Sequence, residues 1–278
     1  MTYVRWRVLY AFSDLLFGLL YYIVRYRRSI VRRNLTESFP EKSPAEIRRI
    51  EKAFYHFFAD LILESGKLAF ITPDEISRRM RFTNVESINS SLRQGKPVAI
   101  YLGHYANWEW VSSMPLWLEK GTIGAQIYHE LRSKRMDRLM LHIRGRMGAV
   151  CVEMRKTARY INEWAQNREA CAIGFIADQS PKKREVRHFL SFLNHEVPVL
   201  TGTEKVIKRY GFEAWYLDVR RVKRGFYEAE FVRLHEMPRE LSDFELTALY
   251  FQRLEQTIRR QPELYLWTHN RFKHAKKA

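Results

Sequence analysis

A histidine and a glutamate five positions apart, His104 and Glu109, stand just beyond an apolar run in the stretch P-V-A-I-Y-L-G-H-Y-A-N-W-E-W, residues 97–110. An imidazole whose one ring nitrogen is held by a carboxylate presents the other as a base toward a hydroxyl. No serine or cysteine adjoins the pair to serve as nucleophile, so the chemistry this pattern suggests is direct attack by an activated alcohol. Positions five apart on one helix lie roughly 140° apart and do not face each other. Contact therefore requires His104 in a turn and Glu109 in the first turn of the following helix. The same spacing also fits a surface histidine and a helix-opening glutamate that never meet.

The elements that must position these residues follow from the flanking pattern. Residues 98–102 are apolar and bounded by Gly95, Pro97 and Gly103, which predicts a buried parallel strand with His104 just past its carboxyl end. Open α/β sheets place ligands at that edge. From residue 81 onward strand-like runs (81–85, 98–102, 123–128, 150–152, 170–176) alternate with helical patterns (87–93, 107–119, 134–147, 157–166). This order predicts a mostly parallel sheet flanked by helices. Runs 213–219 and 227–234, joined through Lys223, Arg224 and Gly225, predict an antiparallel pair at or near the sheet edge, before a last helix over 243–260. Upstream, Ser43-Pro44-Ala45-Glu46 reads as a capping box with proline at the first helical position. Thr72-Pro73-Asp74-Glu75 repeats that logic, and His56 on the first of these helices reads as structural.

The amino-terminal run 8–24 is almost wholly apolar, interrupted by Asp14 and Gly18. Arg5 and Arg7 precede it, and Arg25, Arg27, Arg28, Arg32 and Arg33 follow. At ~1.5 Å per residue it sits at the short end of what crosses a bilayer, so spanning and in-plane anchoring both stay open. No small-residue cleavage site follows it, against a secretory signal. If it spans, the heavier arginine flank leaves the remainder of the chain in the cytoplasm. The expected division is a membrane anchor with its basic flank over 1–33 and a single α/β domain over 34–278.

The string G-H-Y-A-N-W-E-W resembles the first motif of the late, or secondary, lipid A acyltransferases, within the wider glycerolipid acyltransferase superfamily. Arg144-Gly145-Arg146-Met147-Gly148 is similar to that family's R-x-R-x-G, and Asp178-Gln179-Ser180-Pro181 to its D-Q-x-P segment. Residues 262–273 resemble its closing W-x-H-x-R-[FW]-K, whose part there is a structural docking of the tail. Phe192-Leu193-Asn194 departs from the usual F-F-G, and Glu204 stands where alanine is common. The resemblance runs from about Arg5 to Lys273. It implies His104 and Glu109 as catalytic residues, with Asn107, Arg144, Arg146, Asp178 and Gln179 binding substrate. Arg144 and Arg146 offer forks suited to phosphate oxygens, although arginines in a helix's last turn also complement its dipole. Asp178 would orient the acceptor sugar or hold an arginine, unless it merely ends a strand.

Composition sets the class of partner. The 278 residues are 46% hydrophobic and carry a formal net charge of +17. That excess of cations implies a polyanionic partner: nucleic acid, an anionic membrane face or phosphorylated substrates. Cys151 and Cys171 form no C-x-x-C, which fits a reducing compartment, and no histidine or cysteine spacing suggests a metal. The expectation is an enzyme without cofactor at the cytoplasmic face of the inner membrane. It would move a fatty acyl chain from acyl carrier protein to a hydroxyl of a phosphorylated glycolipid, a lipid A precursor, over an apolar groove lined from the amino-terminal helices. A lysophospholipid or aminoacyl-lipid acceptor is the alternative within that chemistry. A non-enzymatic basic protein binding nucleic acid or anionic lipid is the alternative outside it, and it gives no account of His104 and Glu109.

Overall fold

The computed structural model describes residues 5–276. Residues 1–4 of the expected anchor segment and 277–278 of the expected domain lie outside the described residues. The chain opens with α1 (Trp6–Gly18), continued by a π-helical segment (Leu19–Ile23), then α2 (Arg28–Ser38), α3 (Pro44–Lys67) and α4 (Pro73–Arg79). Next come β1 (Met80–Thr83), α5 (Val85–Arg93) and β2 (Val98–Leu102). A 3-10 helix (Trp110–Leu116) leads to β3 (Ile123–Tyr128), α6 (Lys134–Gly145), β4 (Val150–Glu153), α7 (Thr157–Gln166) and β5 (Cys171–Ile176). The chain then forms β6 (His188–Phe192), β7 (His195–Val199), α8 (Gly202–Tyr210), β8 (Glu213–Lys223), β9 (Phe226–His235) and α9 (Glu245–Arg260).

Seven strands make one sheet in the order β1-β9-β8-β2-β5-β3-β4, parallel throughout except between β8 and β9. The mostly parallel sheet read from the alternation is present. The antiparallel pair lies near one edge, as expected, but not at it. β8 hydrogen-bonds to β2 at the sheet's centre, and the short β1 covers β9. Burial explains this position: the first five residues of β8 are all buried and demand cover on both faces. The β6–β7 hairpin falls outside the strands expected from the sequence. Its turn residues Leu193 and Asn194 both have positive φ (50° and 61°), the geometry of a two-residue hairpin loop that glycine usually serves. Glu255, accepting from the Leu193 N–H at 2.8 Å, holds the leucine there.

The capping box at Ser43 and Glu46 forms as the sequence requires, and α3 runs on for 24 residues. α1 packs against α3 through one polar seam: Ser13 donates to Asp60 at 2.7 Å and Tyr10 to Glu64 at 2.9 Å. The outer side of α1 and of the π-helical segment is apolar and open, with Phe12, Leu15 and Ile23 60%, 70% and 75% exposed. No single helix among the described residues is long and apolar enough to cross a bilayer. The first eighteen described helical residues, 6–23, and α2 pass that test only together, with an 87° bend between them. The arginine flank is also partly occupied inside the protein. Arg28 and Arg32 both donate to the fully buried Glu51, at 2.7 and 2.5 Å, and Arg27 donates to the Thr268 carbonyl.

Candidate active site

The site is built at the carboxyl ends of β2 and β5, which run parallel with Leu102 opposite Ile176. Two residues past each end stand His104 and Asp178. His104 Nδ1 lies 2.7 Å from Asp178 Oδ1, and the His104 backbone N–H donates to Oδ2 at 3.1 Å. Asp178 is 2% exposed. Burial alone would push its carboxyl up, but the charge and hydrogen bonds of His104, with Arg271 adding to them, hold it below the usual aspartate range. An ionised carboxylate accepts only, so Nδ1 carries a proton, and in the neutral ring the lone pair is on Nε2. Nε2 faces a cavity, where the Gln179 amide lies 3.2 Å away.

Gly103 makes room for this arrangement by close approach rather than by an unusual backbone angle. A Cβ there would lie 2.6 Å from Leu254 Cδ1 of α9. The sharp bend comes three residues later, at Ala106, with φ +50°. Asn107 stabilises the bend: its Oδ1 accepts from the Trp110 N–H at 3.1 Å and its amide donates to Glu64 at 2.8 Å. It is fully buried with both ends engaged, so Asn107 shapes the loop and does not face the cavity. The helix expected over 107–119 is instead the short 3-10 helix. Pro115 supplies no N–H within it, and the Ser112 and Ser113 hydroxyls donate back to the carbonyls of Glu109 and Trp110.

The expected contact between His104 and Glu109 is not made. Glu109 lines the same cavity but binds Arg144 of α6 through two bonds, Nε to Oε2 at 2.8 Å and Nη2 to Oε1 at 2.7 Å. The bent loop turns Glu109 toward α6, and the histidine's carboxylate comes from the neighbouring strand. Burial would lower the Arg144 guanidinium, yet the bond and charge of Glu109 raise it, so this cation stays charged at the cavity wall. Arg146 points elsewhere. It donates to the Leu68 and Ile71 carbonyls at 2.6 and 3.2 Å, completing the end of α3, and does not line the cavity. The site thus brings together His104, Glu109, Arg144, Asp178 and Gln179, and leaves out Asn107 and Arg146.

The cavity, about 450 Å³, runs from His104 between the sheet and the 3-10 helix. Its deeper walls are apolar: Ile100 and Leu102 of β2, Val111 and Met114 of the 3-10 helix, Ile127 of β3 and Ile176 of β5. No residue of the amino-terminal helices α1 to α4 lines it, in contrast to the groove expected from the sequence. Gly124, on the cavity wall, lets the 3-10 helix pack closely on β3: a Cβ there would meet Pro115 Cγ at 2.7 Å.

A family model described as bacterial lipid A biosynthesis acyltransferase matches residues 7–274, nearly the whole chain. The chain belongs to that family. No curated relative matches it. Membership makes the chain an acyltransferase. Among the described residues no cluster of three or more histidine, cysteine or carboxylate groups suits a metal ion. The C-terminal motif, read from the sequence as a docked tail, also reaches the site. The Leu266 N–H donates to the His104 carbonyl at 3.1 Å, and the Ala106 N–H to the Leu264 carbonyl at 2.9 Å. The closing motif was visible in the sequence, but nothing in it indicated contact with the histidine loop.

Proposed function

We propose that the enzyme moves a fatty acyl chain from a thioester on acyl carrier protein to a hydroxyl of a phosphorylated lipid A precursor, with His104 as general base and Asp178 as its direct partner. The observation that carries this reading is the His104–Asp178 pair with Nε2 turned to the mouth of an apolar groove. Nε2 takes the hydroxyl proton while the oxygen attacks the thioester carbonyl carbon and displaces the Gln179 amide from the ring. A C–O bond forms, the tetrahedral intermediate collapses, the C–S bond breaks, and the imidazolium returns its proton to the departing thiolate. Asp178 stabilises the imidazolium between those two transfers. The Glu109–Arg144 ion pair, balanced in charge, holds rigid the wall against which the acyl chain lies.

Access from a membrane fits the α1 surface. Phe12, Leu15, Leu19 and Ile23 form an apolar stripe that a helix lying in the plane of the membrane would bury. The net charge of +17 suits an anionic leaflet, an acidic carrier protein and lipid phosphates together. Lipid A mass spectrometry from cells with and without the gene tests the acceptor. Loss of one acyl chain is expected, whereas unchanged lipid A beside altered lysophospholipids or aminolipids overturns it. Turnover of carrier-protein and coenzyme A thioesters, compared on the purified enzyme, tests the donor.

A further inference from the structure

Arg271 is the most deeply buried cation among the described residues, 1% exposed and on the closing segment of the chain. Its Nη1 donates to the Pro198 carbonyl at 3.1 Å, while Nε and Nη2 have no hydrogen-bond partner. A guanidinium with two free donors in a protein interior is costly unless a negative charge lies close. Phe192 and Phe251 rings flank it, with centroids 5.9 and 5.6 Å from Cζ, and supply only a weak substitute. The carboxylate that interacts with it is Asp178. Backbone bonds place it there: Leu266 to His104, Ala106 to Leu264, and the Tyr105–Tyr265 bridge tie the segment to the histidine loop. The Ser180 N–H reaches His269 Nε2 at 3.5 Å and ties it to the Asp178 loop.

We propose that residues 264–271 are a working part of the site, with Arg271 a positioning residue whose buried charge keeps Asp178 ionised and bound to His104. The proposal rests on His104 and Asp178 forming the base. Without Arg271, a carboxylate buried this deeply would keep its bonds from His104 and the Tyr265 phenol but lose the fixed positive charge behind it, and the pair would no longer be organised in advance for taking a proton. The groups that face Asp178 are His104, Arg271, His269 and the phenols of Tyr216, Tyr250 and Tyr265. Arg271 in turn faces Asp178, Tyr250, Tyr265, His195 and His269. Burial raises all three phenols, so they stay neutral through the working range. Burial pushes His269 down to about 4, which leaves it neutral there as well. Across the cavity the Glu109–Arg144 pair is already balanced. Arg271 is thus the fixed positive charge on the far side of the carboxylate.

Arg271→Gln keeps a donor for Pro198 and removes the charge, and Arg271→Lys keeps the charge. Loss of a positive charge makes protonation of a nearby base easier. The acid limb of the kcat profile should therefore move to higher pH in Arg271→Gln, by about one unit for a charge ~10 Å away at an effective dielectric of ~20. Below the limb kcat should fall by up to about tenfold, the limit set by a one-unit shift, and Arg271→Lys should return the limb to its parent position. An unmoved limb in folded Arg271→Gln, with activity falling only in step with thermal stability, overturns the proposal. If Arg271→Gln fails to accumulate, Asp178→Asn and the double variant Asp178→Asn/Arg271→Gln are melted instead. A charge pair predicts that the double variant is no less stable than Asp178→Asn alone, and additive losses overturn it. His104→Ala run alongside separates the two readings. Activity surviving there removes the base itself, whereas an inactive His104→Ala with an unmoved limb in Arg271→Gln removes only the role of Arg271.

Discussion

Replacing Asp178 with asparagine exchanges one oxygen for an NH2 group and tests the whole arrangement. The carboxylate accepts from two donors of the same residue, the His104 backbone N–H at 3.1 Å and Nδ1 at 2.7 Å. An asparagine offers one carbonyl oxygen to those two donors. The backbone N–H cannot become an acceptor, so it keeps the oxygen and the new NH2 faces Nδ1. The ring then accepts at Nδ1 and carries its proton on Nε2, which abolishes the lone pair that takes the substrate proton. Loss of the base and of the charge behind the imidazolium should lower kcat about 10³- to 10⁴-fold, or about 4–5.5 kcal/mol of barrier. Asp178 does not line the cavity, so KM should change less than about threefold. One weakened buried hydrogen-bond network costs about 1–3 kcal/mol, which an ordinary domain survives. Transfer followed by mass spectrometry, normalised to protein shown folded by near-ultraviolet circular dichroism, measures both. A folded variant with kcat within tenfold of the parent refutes the pairing and returns Glu109 as the partner. Stability carries its own signature, because the Asp178 carboxyl is held below the ordinary range. Its contribution is present above the unfolded value and lost as pH falls through the folded one. The melting-temperature gap between parent and variant should therefore narrow below about pH 4.

Glu109→Gln and Arg144→Met should each lower kcat and cost about 1–3 kcal/mol by leaving a half-buried charge unpaired, with the double variant little worse than either; thermal melts and single-turnover rates check this, and additive losses refute it. Arg146→Ala should cost about 1 kcal/mol of stability by freeing the carbonyls at the end of α3 and leave KM for the acceptor within about threefold, whereas a large rise in KM would restore a phosphate-binding role. Phe12→Ser with Leu15→Ser should weaken flotation with anionic lipid vesicles by about 10²-fold or more, since each buried apolar side chain contributes about 1.5–3 kcal/mol, while the melting temperature holds; unchanged flotation would move the membrane contact elsewhere.

The sequence by itself determined what depends on neighbours along the chain. The apolar run at 98–102 formed a buried strand in register with β5, and His104 fell just past its end as the bounding glycine and proline required. Ser43 and Glu46 started α3 because a capping box needs only residues three apart. The repeated change from short apolar runs to helical spacing established a mostly parallel sheet. It also carried the family, through short motifs in order over nearly the whole chain. Tertiary structure decided which carboxylate His104 meets. Glu109 and Asp178 are chemically equivalent candidates, and nothing local distinguishes them. The choice follows from β2 and β5 being neighbours with Leu102 opposite Ile176, a pairing between residues 74 positions apart that sets His104 beside Asp178. Three-dimensional packing likewise assigned Arg144 to the cavity and Arg146 to the end of α3, although one motif contains both. It also spent part of the arginine flank on Glu51 inside the fold. Periodicity records which face of an element is buried. Strand order and register, set by the lowest free energy of the whole packed sheet, record what that face meets.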